Sequence, residues 1–214
     1  MTAWPYDLEQ SLIVTAPPNS TLRRRFGRNL RRAMHAHDLA DKRVSRDCGI
    51  GETSVLYYKM GSQRFPSTVH ALRLATYLGL TLFEAYSPQA PTLDFERGLE
   101  RRLEGVEALR APEGELMQRY GETLTRLMAE RGYNQAMVRR LILCNKPAIS
   151  FTVAGKRLPT QSFCVLASGL FGVGPLEMLT GLNDMDVLGR EPEPSVLYRP
   201  HLERVLGPDW DASR

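Results

Sequence analysis

Six arginines, Arg23, Arg24, Arg25, Arg28, Arg31 and Arg32, crowd a stretch of ten residues near the start of the chain. Guanidinium groups at that density suit phosphate oxygens, which they bind as charge-assisted forks without regard to base sequence. Downstream lie Lys42, then Glu52, Thr53, Ser54, Tyr57 and Lys59, then Ser62, Gln63 and Arg64, a mixture of types that can touch base edges and backbone. A second such mixture follows in Gln135, Lys146, Pro147, Ser150, Phe151, Lys156 and Arg157, with Arg139 and Arg140 nearby. Covalent chemistry has less to work with. His35, His37, His70 and His201 form no metal spacing with Cys48, Cys144 and Cys164 and read as surface histidines; His35 and His37 would point to different sides of a helix. The three cysteines lack CxxC spacing and sit in apolar patterns, so buried thiols are expected rather than a disulfide scaffold or zinc ribbon. There is no Walker loop, GxSxG or GxGxxG, and helix caps and solvent faces account for the carboxylates. The expectation is a protein that is not an enzyme and has no cofactor and no metal.

Composition agrees with a folded, non-membrane chain. The 214 residues carry 28 Lys+Arg against 24 Asp+Glu, with 43% hydrophobic and 24% charged residues, ordinary globular values. The longest apolar runs, such as Ser11 to Thr15, fall far short of the ~20 residues of a membrane span, and the acidic start is wrong for a secretory signal. A cytoplasmic location is expected. Divided along the chain, the net +4 resolves into −2 over residues 1–20, +7 over 21–87, −2 over 88–113, +4 over 114–182 and −3 over 183–214. Two basic blocks alternate with acidic connectors, the distribution of two modules facing a polyanion. Solvated helix faces are the plainer account of the same charges.

The basic blocks are related by an internal repeat. Phe26-Gly27-Arg28-Asn29-Leu30 lies over Tyr120-Gly121-Glu122-Thr123-Leu124 at an offset of 94. That offset pairs Met34 with Met128, Val44 with Val138, Arg46 with Arg140, Val55 with Ile149, Tyr57 with Phe151 and Gly61 with Gly155, before Pro66 meets Pro159 at 93. Within the first copy, Leu22, Phe26, Leu30 and Met34 mark a helix face, preceded by Ser20 as a cap and ending near His37 and Asp38. Asp41 is expected to cap a short second helix closed by Gly49, and Glu52 to Lys59 form a third with Val55 and Tyr58 facing inward. A loop at Gly61 to Pro66, a fourth helix ending at Gly79 and a fifth from Leu80 complete an all-α module.

This ordered set, Phe26-Gly-x-x-Leu30, Cys48-Gly49-Ile50, Val55, Gly61, Pro66 and Leu74-Ala75-x-x-Leu78-Gly79-Leu80, resembles the helix-turn-helix module of the lambda repressor and Cro family, also called the XRE family. The second copy carries the resemblance in Tyr120-Gly-x-x-Leu124, Gly132-Tyr-Asn-Gln135, Val138, Ile149, Gly155-Lys-Arg-Leu-Pro159 and Gly172-Val173. It implies an all-α fold of two tandem five-helix lambda-repressor-like helix-turn-helix modules joined by a helical linker. The divisions are an N-terminal arm over 1–20, modules over 21–87 and 114–182, a linker over 88–113 and a tail over 183–214.

The resemblance further implies that the third helix enters the major groove while the second lays its N-terminus on the backbone. Glu52, Thr53 and Tyr57 would then meet bases, with Ser54, Lys59 and the loop residues Ser62, Gln63 and Arg64 on phosphate. In the second copy Lys146, Ser150 and Phe151 face outward, Asn145 caps, Pro147 sits in the first turn, and Lys156 and Arg157 approach phosphate. Gln135 stands where the family often has a glutamine bracing the backbone contact. The first copy has Asp41 there, which needs a neighbour such as Lys42 to hold it. The second copy also departs from family spacing, since Ala167 to Gly172 is one residue longer than Ala75 to Gly79.

In the linker, Phe95, Leu99, Leu103, Val106 and then Leu109 or Arg110 form a narrow apolar stripe, weakened as a helix by Gly98 and Gly105. Asp184 to Pro194 reads as an extended linker to the apolar segment Ser195 to Leu206 and Trp210. About thirty residues after the second copy are too few for a self-cleaving protease domain. The expected function is a bacterial or phage transcription regulator that binds double-stranded DNA and reads two unlike half-sites. A homodimer is expected, with RNA polymerase or another protein as a further partner class. Two alternatives are an adaptor or antitoxin-like protein with one DNA-reading and one protein-binding module, and a replication or recombination accessory factor.

Overall fold

A computed structural model of the chain describes residues 19–61, 65–86, 95–142 and 144–189. Among them are twelve helices and no strand: α1 Asn19–Ala36, α2 Asp41–Cys48, α3 Glu52–Met60, α4 Thr68–Tyr77, α5 Leu82–Tyr86, α6 Leu99–Ala108, α7 Glu113–Glu130, α8 Gln135–Leu141, α9 Lys146–Val153, α10 Gln161–Phe171, α11 Pro175–Thr180 and α12 Asp184–Leu188. None of these is long and apolar enough to cross a membrane. Residues 1–18 of the N-terminal arm, the loop residues 62–64, residues 87–94 and 143, and the segment after residue 189 that holds His201, Glu191 to Pro194, Ser195 to Leu206 and Trp210 lie outside the described residues.

The first helix forms because Phe26, Leu30 and Met34, spaced by four, share one face, and all three are buried. It runs from Asn19, so its described part includes Ser20. Beyond it, α2 and α3 are separated by Gly49, Ile50 and Gly51. Gly49 sits at φ 62, the left-handed conformation that ends α2, and Ile50 N–H donates to Ser45 O at 3.0 Å. Ser67 caps α4 by accepting from His70 N–H at 3.2 Å. At α5, Glu84 N–H donates to Thr81 Oγ1 at 3.1 Å and Thr81 N–H to Glu84 Oε2 at 2.7 Å, a reciprocal capping pair.

Equivalent positions of the repeat make the same contacts. A Cβ on Gly27 would lie 2.6 Å from Tyr58 O and 2.8 Å from Lys59 O; on Gly121 it would lie 2.7 Å from Thr152 O and 2.8 Å from Val153 O. Glycine in α1 and α7 therefore lets each helix meet the end of α3 or α9 backbone to backbone. Helices α1 and α7 have the same 18-residue length at the offset of 94. The turn bond Ile50 N–H to Ser45 O recurs as Cys144 N–H to Arg139 O at 3.2 Å. The extra residue expected in the fourth helix of the second copy is absent: α4 starts at Thr68 and α10 at Gln161, and they close on Gly79 at φ 75 and Gly172 at φ 71, both pairs at the offset of 93, so Ala167 is the counterpart of Leu74 rather than of Ala75.

The linker's apolar stripe is buried at Phe95, Val106 and Leu109, with Leu99 packed against the core, and departs from the expectation at Leu103. Leu103 is 36% exposed, whereas Arg102 is buried at 1% and shares the inner face with Gly105, Val106 and Leu109. The reason is local. Arg102 donates to Tyr77 O at 3.1 Å, bonds Phe95 O and stands 4.9 Å over the Phe95 ring, so the charge is spent on the carbonyl end of α4 and on an aromatic face. Gly105 permits contact rather than weakening it: a Cβ there would come within 2.8 Å of Val187 Cγ1 and 3.1 Å of Thr76 Cγ2. The start of the expected extended segment is also helical, because Asn183 caps α12 and Val187 and Leu188 are buried.

Candidate nucleic-acid interface

The outward sides of α3 and α9 are set by what their inward sides bury. In α3, Val55 and Tyr58 are 0% and 8% exposed, and Tyr58 Oη lies 3.0 Å from His70 Nδ1. His70 is thus half-buried rather than a surface group; burial, with Arg73 nearby, pushes its pKa down. This rotation leaves Glu52, Thr53 and Tyr57 exposed and Ser54 half-buried. Beside them Leu56 and Met60 are 45% and 55% exposed, an apolar addition to the face. Their i, i+4 spacing from Glu52 was the signal for them.

In α9, Asn145 caps by accepting from Ala148 N–H at 2.8 Å and Pro147 occupies the first turn. Ile149 and Thr152 are each 1% exposed, so the packing behind this helix is intact. Lys146, Pro147 and Phe151 are exposed, and Ser150 is half-buried. Ser150 Oγ donates to Gln135 Oε1 at 3.2 Å, which joins the start of α8 to the face of α9. Lys156 and Arg157 are exposed next to this end, as is Arg140, with Arg139 half-buried.

Asp41 does not cap α2. It is the first helical residue, following Ala40, and no side chain caps that end. Its partner is not Lys42, which is exposed, but Lys59, whose Nζ lies 2.5 Å from Asp41 Oδ1 with both side chains about three-quarters buried. The lysine expected on phosphate is therefore engaged with the acid that a phosphate would repel. Ser62, Gln63 and Arg64 lie outside the described residues.

The arginine strip is split by the helix period. Arg24, Arg28, Arg31 and Arg32 are exposed, while Arg23 and Arg25 are half-buried. In α7 the positions equivalent to Arg24 and Arg28 are Gln118 and Glu122, bonded to each other at 2.8 Å. Arg126 pairs with Glu130 at 2.6 Å and Arg119 with Glu115. The first half thus presents a dense basic helix, and the second an acidic one with four glutamates and two arginines, each arginine paired with a glutamate one turn away.

Arg73, which has no sequence signal, and Arg110, placed in the linker stripe as the alternative to Leu109, hold the turn between α2 and α3. Arg73 donates to Leu109 O at 2.8 Å and to Gly49 O at 3.4 Å; Arg110 donates to Asp47 O at 3.0 Å and to Arg46 O at 3.3 Å. They supply donors to Asp47 O and Gly49 O at the end of α2 and to Leu109 O at the end of α6, and so fasten the turn to the linker. Asn29, also unflagged and 2% exposed, donates to Ala85 O at 3.1 Å. Among the described residues no group of three or more His, Cys, Asp or Glu is placed to hold a metal ion. No family model, curated protein or solved structure matches this chain.

Proposed function

We propose that the chain is a sequence-specific duplex-DNA-binding transcription regulator of the bacterial or phage kind, built from two helix-turn-helix modules resembling the lambda repressor and Cro family, with α3 and α9 as its reading helices. The observation that carries the reading is the twice-repeated construction of a short helix braced from behind by a glycine-mediated backbone contact, its outer side left to solvent. Thr53 and Lys146 head the two reading faces, and the exposed Tyr57, Leu56 and Met60 on one side and Phe151 on the other suit thymine methyl groups. The exposed arginines of α1 supply backbone affinity.

Because the faces differ, the two halves of the site differ. Titration of the full chain against a duplex enriched from a random library, at several salt concentrations, tests this. Affinity should fall log-linearly with salt and exceed that for a scrambled duplex by on the order of a thousandfold; equal binding to both removes the claim of specificity. One observation favours the adaptor alternative. Phe151 is 48% exposed beside a first helix, α7, whose basic residues are internally paired, so a protein partner on the second half is the competing use of that face. Lys146→Ala and Phe151→Ala separate the two: unchanged DNA affinity and site preference in both variants would assign that face to protein.

A further inference from the structure

The two halves meet through a pair of hydrogen bonds that mirror each other. Thr68 Oγ1 donates to Pro159 O at 2.7 Å, and Gln161 Nε2 donates to Pro66 O. Pro66 and Pro159 are equivalent in the repeat at an offset of 93, and so are Thr68 and Gln161. Position i of the first half thus touches position j of the second, while position i of the second touches position j of the first. Two copies stacked head to tail make such a contact once; making it reciprocally requires a rotation close to 180°, the signature of an isologous interface. The neighbouring caps agree. Ser67 and Thr160, again equivalent, cap α4 and α10 on opposite sides of the seam, and both line the cavity of about 570 Å³ that lies there.

A second contact, remote in sequence from the first, joins the halves through the linker. The Gly105 turn of α6 packs against Thr76 of α4, Leu176 of α11 and Val187 of α12, with Cβ approaches of 3.1, 3.5 and 2.8 Å.

We infer that a single chain is a covalently joined pseudo-dimer whose DNA target is a quasi-palindrome: two unlike half-sites in inverted orientation at one fixed spacing, filled by one chain. The inference rests on the DNA reading above. Duplex DNA has local two-fold axes across its own axis, so readers related by a two-fold meet half-sites running in opposite directions. Readers strung in tandem would instead meet a direct repeat. A second chain is not needed to complete the site.

The test uses the full chain and a duplex enriched from a random library. Sedimentation of the complex should give one chain per duplex, and inverting one half-site to make a direct repeat should cost at least about tenfold in affinity, comparable to one or more mismatched base pairs. Insertion or deletion of one base pair between the halves should weaken wild-type binding. Two chains per duplex, preference for the direct repeat, or unchanged affinity on altering the spacing would overturn the pseudo-dimer and leave the DNA reading standing. Failure to enrich any duplex would remove the DNA reading, and this inference with it.

Discussion

At the residue scale, the interface is governed by how each charge is already engaged. Asp41 and Lys59 neutralise each other at 2.5 Å beside the end of α2 that would approach the backbone. Asp41→Asn releases the lysine and removes an acid from a phosphate-facing position, so non-specific affinity at low salt should rise severalfold. The salt dependence should steepen by about one phosphate contact; an unchanged slope would show that this helix end does not meet DNA. The cysteines give a second check on the packing. Burial pushes the Cys48 and Cys164 thiols up to about 12, and Cys144, half-buried, is raised as well. Labelling of the native chain at pH 8 with a thiol reagent should modify Cys144 first and leave Cys48 and Cys164 until unfolding. Rapid labelling of all three would contradict the core assignment.

At the element scale, the reading helices depend on glycine at two positions. Gly27→Ala and Gly121→Ala each place a methyl within 2.8 Å of backbone carbonyl oxygens that cannot swing away. Each should cost roughly 1–3 kcal/mol of stability, measured by denaturant unfolding. A cost near zero for either would mean that its helix does not touch α3 or α9 as described. The short C-terminal helix offers a pH test. Burial raises the Asp184 carboxyl from 3.8 to about 6, although it accepts from Glu177 N–H at 3.0 Å. A folded-state value above the unfolded one means that its stabilising contribution is full below about 3.8 and is lost as pH rises through about 6. Asp184→Asn should therefore match wild type near pH 4 and exceed it in thermal stability at pH 8; a difference in Tm that does not change with pH would contradict the assignment. The repeated elements were legible in sequence because Phe26, Leu30, Val55 and Gly61 and their counterparts combine period with punctuation. Arg102 was not legible, since a charged type inside a run of Glu and Arg reads as solvent-facing until the carbonyls it serves are known. The Asp41 to Lys59 pair joins residues 18 apart on different helices, beyond any local spacing rule. The α12 turn was hidden by the acidic and proline-rich residues that follow it.

At the scale of the whole molecule, two basic blocks, one linker and one seam place two similar but unlike helices, α3 and α9, on one chain, the pair we propose as its reading helices. The repeat and its charge division were visible as an offset of 94 with alternating sign. The manner in which the halves meet was not, because Thr68, Gln161 and the carbonyls of Pro66 and Pro159 carry no sequence signal of contact. The central claim, that both halves read bases, is tested most directly by selecting duplexes from a random library with three proteins: wild type, Thr53→Ala and Lys146→Ala. Wild type should yield a site with two distinct halves. Thr53→Ala should blur base preference in one half only, and Lys146→Ala in the other only. Loss of preference in the same half for both variants, or no change with Lys146→Ala, would contradict it.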